Sequence, residues 1–302
     1  MNTDTPSHIG IPLDQLIAEV DAKLRDYLSQ RGLPRNLTDA ILYSGLGPGK
    51  RVRPTLVVRS YEAVQGPLVD GPMPDPLLAA AVGIEMVHAF SLVHDDLPAI
   101  DDDDLRRGRP TLHKHTNEAM AILAGDGLLA LSFELVTRNV GDATLGLALV
   151  GELATATNDM IAGQIYDTLP EDDGVHGIDR LIRIHRNKTG ALLRGAARMG
   201  GLCAGGSESQ IEALTRYADV VGLMFQVVDD LLDVTSDAES MGKATQKDAE
   251  AGKLTYPGLM GVEGAQAEVK RLQTEAHDLL EPLGASAEPL RRLADDLAVR
   301  RK

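Results

Sequence analysis

A long apolar segment that runs directly into a cluster of carboxylates constrains the fold of this chain most strongly. Residues 77–93, LLAAAVGIEMVHAFSLV, are too apolar to lie on a solvated surface. Six aspartates follow between positions 95 and 104. An acidic run of this kind is often only a solvated face of a protein. Because this one ends a segment that must be buried, we expect it to border an interior site.

A second acidic cluster lies far downstream, at the end of another apolar segment. Asp229 and Asp233 are four residues apart and therefore share one face of a helix, with Asp230 beside them. Like charges held this close repel each other unless cations neutralise them or water solvates them. The spacing predicts a helix that presents two carboxylates to a common cation.

In the first cluster, a proline separates the aspartates. Asp95 and Asp101 are six residues apart and would point away from each other on an unbroken helix. Pro98 ends or kinks a helix, which lets the chain fold back on itself. We therefore expect the two acidic clusters to face each other across a cavity and to share metal ions.

Basic residues follow the first acidic cluster at once. Arg106, Arg107 and Arg109 offer planar guanidinium groups that match phosphate. Aspartate oxygens suit Mg²⁺, which commonly binds through a few carboxylates together with substrate phosphates. The stretch from 94 to 114 therefore predicts a phosphorylated substrate that binds as a magnesium complex.

The net charge and the single cysteine narrow the class of protein. A formal charge of −15 disfavours nucleic acid as a partner, because nucleic-acid binding relies on a broad basic surface. A chain whose one cysteine is Cys203 has no intramolecular disulfide, which favours a reducing compartment. The N-terminal residues lack a signal layout, and we identify no apolar run long enough to span a bilayer. These features predict a cytoplasmic protein without a membrane span.

Hydrophobic periodicity predicts helix along nearly the whole chain. Apolar positions recur at helical spacing, and strand-like alternation is scarce. No linker rich in Pro, Gly or Ser divides the sequence, so we expect one all-α domain over residues 1–302, with residues 1–10 disordered. The predicted helices cover residues 13–30, 36–43, 53–64, 77–97, 117–139, 144–167, 177–203, 208–235, 264–282 and 287–300.

Motifs between residues 47 and 261 resemble those of the short-chain trans-prenyl diphosphate synthases, and most closely those of the bacterial farnesyl diphosphate synthases. One aspartate-rich motif is weak evidence, but the full set in this order and spacing is specific. The chain departs from the family at Pro48, where paired glycines are usual. The matching motifs are Gly49-Lys50-Arg51, Arg53-Pro54, Asp95-Asp96 with Asp101, Arg106-Arg107-Gly108, Gly163-Gln164, Lys188-Thr189-Gly190, Phe225-Gln226, Asp229-Asp230 with Asp233, Gly242-Lys243, and Lys253 with Thr255-Tyr256-Pro257.

The resemblance implies an all-α bundle of the isoprenoid synthase type, with a central active-site cavity, three Mg²⁺ ions and a homodimeric assembly. It implies that an allylic diphosphate ionises and that isopentenyl diphosphate attacks the resulting cation. The implied metal ligands are Asp95, Asp96, Asp101, Asp229, Asp230 and Asp233. The implied substrate-binding residues are Gly49, Lys50, Arg53, His88, Arg106, Arg107, Lys188, Thr189, Gln226, Lys243 and Lys253, of which Lys188, Thr189, Gln226 and Lys243 also act in catalysis.

Several polar residues also fit simpler explanations. His88 is equally consistent with a hydrogen-bonded core histidine, and Gln164 and Asp167 with structural hydrogen bonds. The glycine-containing segment around Lys243 is either a loop that closes over bound diphosphate or a solvated loop. The basic residues 299–302 either help to close the isopentenyl diphosphate site or form a frayed terminus.

Two residues on the apolar segment bear on product length. Phe90 and Ser91 lie five and four residues before Asp95, and a chain growing away from the metal site must pass them. In the resembling family, a bulky residue five positions before the first aspartate, together with two extra residues inside the motif, marks bacterial farnesyl diphosphate synthases. This chain has both features, and Ser91 alone is too small to stop a growing chain. We therefore expect a C15 product, farnesyl diphosphate.

Other activities of related chains remain as alternatives. A geranylgeranyl diphosphate synthase of the same family would make a C20 product. A terpene cyclase of the same fold binds one diphosphate, which would leave Lys50, Arg53 and Arg107 without a ligand, and aromatic content of 3% supplies few rings to guide a cation. A non-catalytic partner subunit would tend to lack one acidic motif, whereas both are intact here.

Overall fold

The computed structural model describes residues 10–68, 71–169, 171–240 and 254–300, without the side chains of 235–240. A 3-10 helix spans Glu281–Ala287, and two short strands, β1 (Leu105–Arg106) and β2 (Arg109–Pro110), pair antiparallel. The predicted all-α class is confirmed. The α-helices of the described ranges are α1 (Leu13–Arg31), α2 (Arg35–Gly45), α3 (Val52–Gln65), α4 (Asp75–Asp95), α5 (Leu112–His115), α6 (Glu118–Asn139), α7 (Ala143–Thr168), α8 (Gly177–Lys188), α9 (Gly190–Cys203), α10 (Glu208–Ser240), α11 (Tyr256–Leu279) and α12 (Glu288–Ala298).

Helix α4 is the central element of the bundle. Every residue from Ala79 to Val87 is buried, and α4 packs against α3, α6 and α9. A helix that is apolar on all faces is stable only when neighbours surround it, and burying one large aliphatic side chain contributes about 1.5–3 kcal/mol. The aspartates at the C-terminal end of α4 are therefore carried by a helix that the core holds firmly.

Thr189 interrupts the helix that periodicity predicted over residues 177–203. Helix α8 ends at Lys188 and α9 begins at Gly190, with Thr189 at φ −104° and ψ −46° between them. At this point α8 lies directly against α7, and only a glycine fits at position 163, since an added Cβ would clash with the backbone of Lys188. The break places Lys188 and Thr189 on the wall of a cavity.

The C-terminal helices also differ from their predicted bounds. Helix α11 begins at Tyr256 rather than near residue 264, because Pro257 occupies its first turn, where proline is well tolerated. Gly261 forms a kink inside this helix, with φ 75° and ψ 163°. The predicted helix over 287–300 is α12, which follows the 3-10 helix directly.

Two helices of the described ranges are long and apolar enough to cross a membrane, by length and composition alone. They are α4 and α6, so the expectation that no apolar run reaches this length is wrong. The buried share of the apolar 18-residue window is 72% in α4 and 44% in α6. Core helices pass the same test, so neither helix establishes a membrane span.

The described chain begins with a segment that packs against helix α3. Gly10 is buried, and the next residue, Ile11, donates its N–H to Glu62 Oε1 at 2.9 Å. This hydrogen bond joins the segment before α1 to helix α3. Residues 1–9 lie outside the described residues.

Candidate active site

The chain folds back immediately after α4, as Pro98 predicts. Helix α4 ends at Asp95, and the Asp101 N–H donates to the Asp95 carbonyl at 2.9 Å. The Ile100 N–H donates to the Leu97 carbonyl at 2.9 Å inside the same turn. The backbones of the two outer aspartates of the first motif are therefore adjacent, although six residues separate them in sequence.

Asp96 lies differently from the expected metal ligand. Its side chain is buried, and its Oδ1 accepts from Arg106 Nε at 2.7 Å and from Arg106 Nη2 at 2.5 Å. The hairpin of β1 and β2 carries Arg106 to this position. A charge-assisted contact of this kind holds the turn against the hairpin. Asp96 therefore supports Arg106, and its role as a metal ligand stays a prediction.

Asp230, in the second cluster, also has a structural partner. Its Oδ2 accepts the backbone N–H of Tyr256 at 2.8 Å and lies 3.8 Å from His185 Nε2. Tyr256 is the first residue of α11, where helix N–H groups lack intrahelical partners. Asp230 thus supports the first residue of α11, next to the N-cap Thr255, and its role as a metal ligand stays a prediction.

In Asp95 and Asp229, the charged form of the carboxylate is disfavoured when no cation is bound. Burial raises the pKa of Asp95 to about 6, with a further rise from Asp101 and an opposing effect from Lys188. Burial likewise raises the pKa of Asp229 to about 6, while Arg300 opposes the rise. A carboxylate whose charged form is disfavoured in this way gains most from a nearby cation.

A divalent cation fits this set of donors. The Arg300 guanidinium lies 2.9 Å from Asp229 Oδ1, which shows that the site accepts a positive group. Among the described residues, no group of three His, Cys, Asp or Glu side chains could hold a metal alone. Mg²⁺ usually takes part of its coordination shell from water and substrate phosphate. Asp95 and Asp101 on one side and Asp229 and Asp233 on the other would hold it together with a bound diphosphate.

A basic cavity of about 400 Å³ opens beside α3 and α4. Its wall includes Lys50, Arg53, His88, Arg107, Phe225 and Arg300, and also Gly49. Burial lowers the pKa of Arg53 to about 10, and burial together with the nearby arginines lowers the pKa of His88 well below its usual value. His88 is therefore neutral. The cavity keeps several cations close together, which suits a multiply charged anion.

Two cations expected near this anion site are engaged elsewhere. Arg51 belongs to the Gly49-Lys50-Arg51 motif, but it is 6% exposed and its guanidinium bonds Asp21 and Glu85. Arg109 stacks over the Tyr43 ring at 4.1 Å. None of these three partners is close in sequence to the arginine that it contacts. The motifs alone could therefore not reveal these contacts.

An apolar cavity of about 540 Å³ adjoins the basic one and shares Arg53, His88 and Thr189 with it. Its wall also includes Asp95 and Lys188. Phe90 lines it and is 8% exposed, with its ring centroid 4.9 Å from that of His94. Ser91 also lines it and donates its hydroxyl to the His88 carbonyl at 2.9 Å. The residues predicted to control chain length therefore belong to a cavity that suits a hydrocarbon chain.

Further polar groups of the predicted site come from α7, α8, α10 and the break between α8 and α9. Lys188 Nζ donates to Asp167 Oδ2 at 2.7 Å, so the charge of this lysine is paired with a carboxylate. Thr189 contributes to both cavities. Both amide atoms of Gln164 are buried without a hydrogen-bond partner in the part of the chain described here, and Gln164 lines the apolar cavity. Gln226 is half-buried on α10, one turn before Asp230.

Some predicted residues cannot be placed, and other residues were missed. Lys243 and Lys253, with the loop predicted around them, lie outside the described residues. Asp21 and Glu85 border the basic cavity through Arg51 but belong to no motif. Glu85 had a signal in the sequence, because it is the one acidic residue of the apolar segment 77–93.

Comparisons with known proteins agree with this geometry. The chain is 45% identical to geranylgeranyl pyrophosphate synthase 9, chloroplastic, of Arabidopsis thaliana over 276 residues, which cover 88% of this chain and 75% of the relative. It is similar to the crystal structure of an FPP/GFPP synthase from Zymomonas mobilis, with a TM-score of 0.81, 32% identity and coverage of 95% and 97%. A geranyltransferase from Legionella pneumophila matches with a TM-score of 0.81, 30% identity and 95% coverage of both chains. The polyprenyl synthetase family profile matches residues 34–281, and the chain belongs to this family.

Proposed function

We propose that this prenyltransferase condenses isopentenyl diphosphate with dimethylallyl or geranyl diphosphate, head to tail, and releases farnesyl diphosphate. The observation that carries the proposal is a pair of adjoining cavities beside α4, one basic and one apolar. Asp95 of the first acidic cluster lines the apolar cavity, and Asp229 of the second is bonded to Arg300 on the wall of the basic cavity. The reaction needs a site for each diphosphate and one apolar space for the growing chain. These cavities match that requirement.

The allylic substrate occupies the apolar cavity in this proposal. Lys188 binds its diphosphate, and its hydrocarbon chain extends past Ser91 toward Phe90. Mg²⁺ bound by Asp95, Asp101, Asp229 and the substrate would neutralise negative charge on the departing diphosphate. No Ser, Cys or His nucleophile is required for this ionisation.

Isopentenyl diphosphate occupies the basic cavity. Lys50, Arg53 and Arg107 bind its diphosphate, and neutral His88 contributes a hydrogen-bonding ring nitrogen. Thr189 borders both cavities and places an oxygen near the carbon that becomes positively charged. The double bond then attacks the allylic cation, and the released diphosphate takes the proton.

Product length has one competing assignment. Relatives of this chain are named as geranylgeranyl pyrophosphate synthases, which favours a C20 product, whereas Phe90 at the wall of the apolar cavity favours C15. Both products use the same residues for binding and ionisation. A terpene cyclase is less well supported, because the basic cavity would then have no diphosphate to bind.

A product assay tests the proposed activity. Purified protein is incubated with Mg²⁺, isopentenyl diphosphate and each of the C5, C10 and C15 allylic diphosphates. We expect the C5 and C10 substrates to be extended to C15, with little extension of the C15 substrate. Efficient extension of the C15 substrate would instead support the C20 assignment. Failure to consume isopentenyl diphosphate with any of the three would contradict the proposal.

Substitutions in the two cavities should separate the two substrates. Arg107→Ala is expected to raise the KM for isopentenyl diphosphate about tenfold or more, because it removes one charge-assisted contact. Lys188→Ala should instead raise the KM for the allylic substrate and lower kcat. Steady-state kinetics with each substrate varied in turn measure both effects.

Arg216→Ala is the matched control, because Arg216 is exposed on α10 and lines neither cavity. It should leave all three kinetic constants within about twofold of the parent values. If Arg107→Ala affected only the allylic substrate, the proposed assignment of the basic cavity would be wrong.

We also propose a cytoplasmic homodimer that binds neither nucleic acid nor a lipid bilayer. The family resemblance supports the dimer, and the net charge of −15 disfavours nucleic acid. Light scattering after size exclusion tests the dimer, since a monomer mass would exclude it. The chloroplast labels of the relatives describe those plant proteins.

A further inference from the structure

An ion-pair chain, buried except for the partly exposed carboxylate of Asp21, supports the loop that forms one wall of the basic cavity. Arg51 Nη2 and Nε donate to Asp21 Oδ1 at 3.2 and 3.3 Å, and Arg51 Nη1 donates to Glu85 Oε1 at 3.1 Å. Asp21 belongs to α1 and Glu85 to α4, so Arg51 joins both helices to the start of α3. We call Asp21, Arg51 and Glu85 the buried triad.

The backbone of Arg51 needs this support. Its φ is 48° and its ψ is 41°, a left-handed conformation that is costly for a residue with a long side chain. Its carbonyl accepts the Thr55 N–H at 3.0 Å and thereby begins α3. Such strain persists only when surrounding contacts determine it. Among the described residues, the hydrogen bonds of the Arg51 side chain are those within the buried triad. The triad therefore sets the backbone between Lys50 and Arg53.

Glu85 extends the triad to the anion-binding arginines. Burial lowers the pKa of Arg53 and of Arg107, and the negative charge of Glu85 opposes this shift in both. The neighbouring arginines lower the two pKa values further. Glu85 Oε2 is buried and has no hydrogen-bond partner within the described ranges. The position of this carboxylate depends on its contact with Arg51, which in turn depends on Asp21.

We propose that Asp21, on a helix outside every motif of the family, is a positioning residue that preorganises the basic cavity for isopentenyl diphosphate through Arg51 and Glu85. The inference rests on the proposed function, because that assigns isopentenyl diphosphate to this cavity. Without Asp21, Arg51 retains one of its three hydrogen bonds, and the loop that carries Lys50 and leads into Arg53 on α3 loses its ion pair with α1. Ligand binding must then order the loop, which weakens affinity without altering the allylic site.

Substitutions of Asp21 test this role in the full-length chain. Asp21→Ala removes both acceptor contacts, and Asp21→Asn keeps one oxygen acceptor but removes the charge. Lys23→Ala is the matched control, because Lys23 forms an ion pair between the same two helices, with Asp75 at 3.5 Å, away from both cavities. Thermal unfolding of each variant shows whether it folds. If Asp21→Ala does not fold, Asp21→Asn, which preserves the side-chain volume, still tests the role.

Two measurements are made on each variant. Steady-state kinetics give kcat and both KM values, and isothermal titration with isopentenyl diphosphate alone gives its dissociation constant. For Asp21→Ala we expect the KM and dissociation constant for isopentenyl diphosphate to rise about five- to tenfold, with kcat and the allylic KM within about twofold of the parent. Asp21→Asn should show a smaller rise, and Lys23→Ala none.

The outcomes distinguish this inference from the proposed function. If Asp21→Ala changed isopentenyl diphosphate binding no more than Lys23→Ala, or impaired both substrates equally, Asp21 would have a structural role only and the inference would be overturned. A parent protein that binds isopentenyl diphosphate without extending any allylic substrate would contradict the proposed function alone. A parent protein that does not bind isopentenyl diphosphate would overturn both.

Discussion

Replacing Asp95 by asparagine should lower kcat about a thousandfold, because the change removes a charged ligand where the departing diphosphate must be neutralised. The folded protein should not lose stability in metal-free buffer. The pKa of Asp95 is raised to about 6, so its ionised form costs free energy in the fold above that pH, and asparagine removes this cost. Turnover assays and thermal unfolding at pH 8 measure the two effects.

Asp102→Asn is the matched control within the same acidic run. Asp102 is exposed, and its φ of 52° is one that asparagine also adopts readily. This variant should retain activity within about twofold of the parent. If Asp95→Asn were nearly as active as Asp102→Asn, the acidic clusters would not bind the catalytic metal.

Replacing Phe90 by alanine should shift the main product from C15 to C20 or longer chains. Phe90 lies five residues before Asp95 on α4, about 7.5 Å back along the helix axis, and lines the apolar cavity. Removing its ring extends that cavity away from the carboxylates, so a C15 product remains bound in a position where it can accept another isoprene unit. Chromatography of the dephosphorylated products measures the distribution of chain lengths.

Phe133→Ala provides the control for this prediction. Phe133 packs against the core from α6 and lines neither cavity, so its loss should lower stability without changing product length. An unchanged C15 product from Phe90→Ala would assign length control to another residue of the cavity, with Met160 on α7 as the next candidate.

Local sequence determined the helices and the two acidic clusters. The apolar periodicity of α1 and the continuous apolar segment of α4 depend on neighbours within one or two turns, so they can be read along the chain. The reversal at Pro98 is equally local, because a proline prevents the helix from continuing. The short motifs that resemble those of the family also indicated residues that line the two cavities.

Tertiary structure decided which charged residues face the substrates and which serve the fold. Arg51 is bonded to residues 30 and 34 positions away, and Asp230 accepts the backbone N–H of Tyr256, 26 positions later. Adjacent aspartates look alike in the sequence, yet Asp96 meets Arg106 and Asp95 borders the apolar cavity. The physical reason is that a charge in a nearly dry interior must find a partner, and the packing of distant helices determines which partner is within reach.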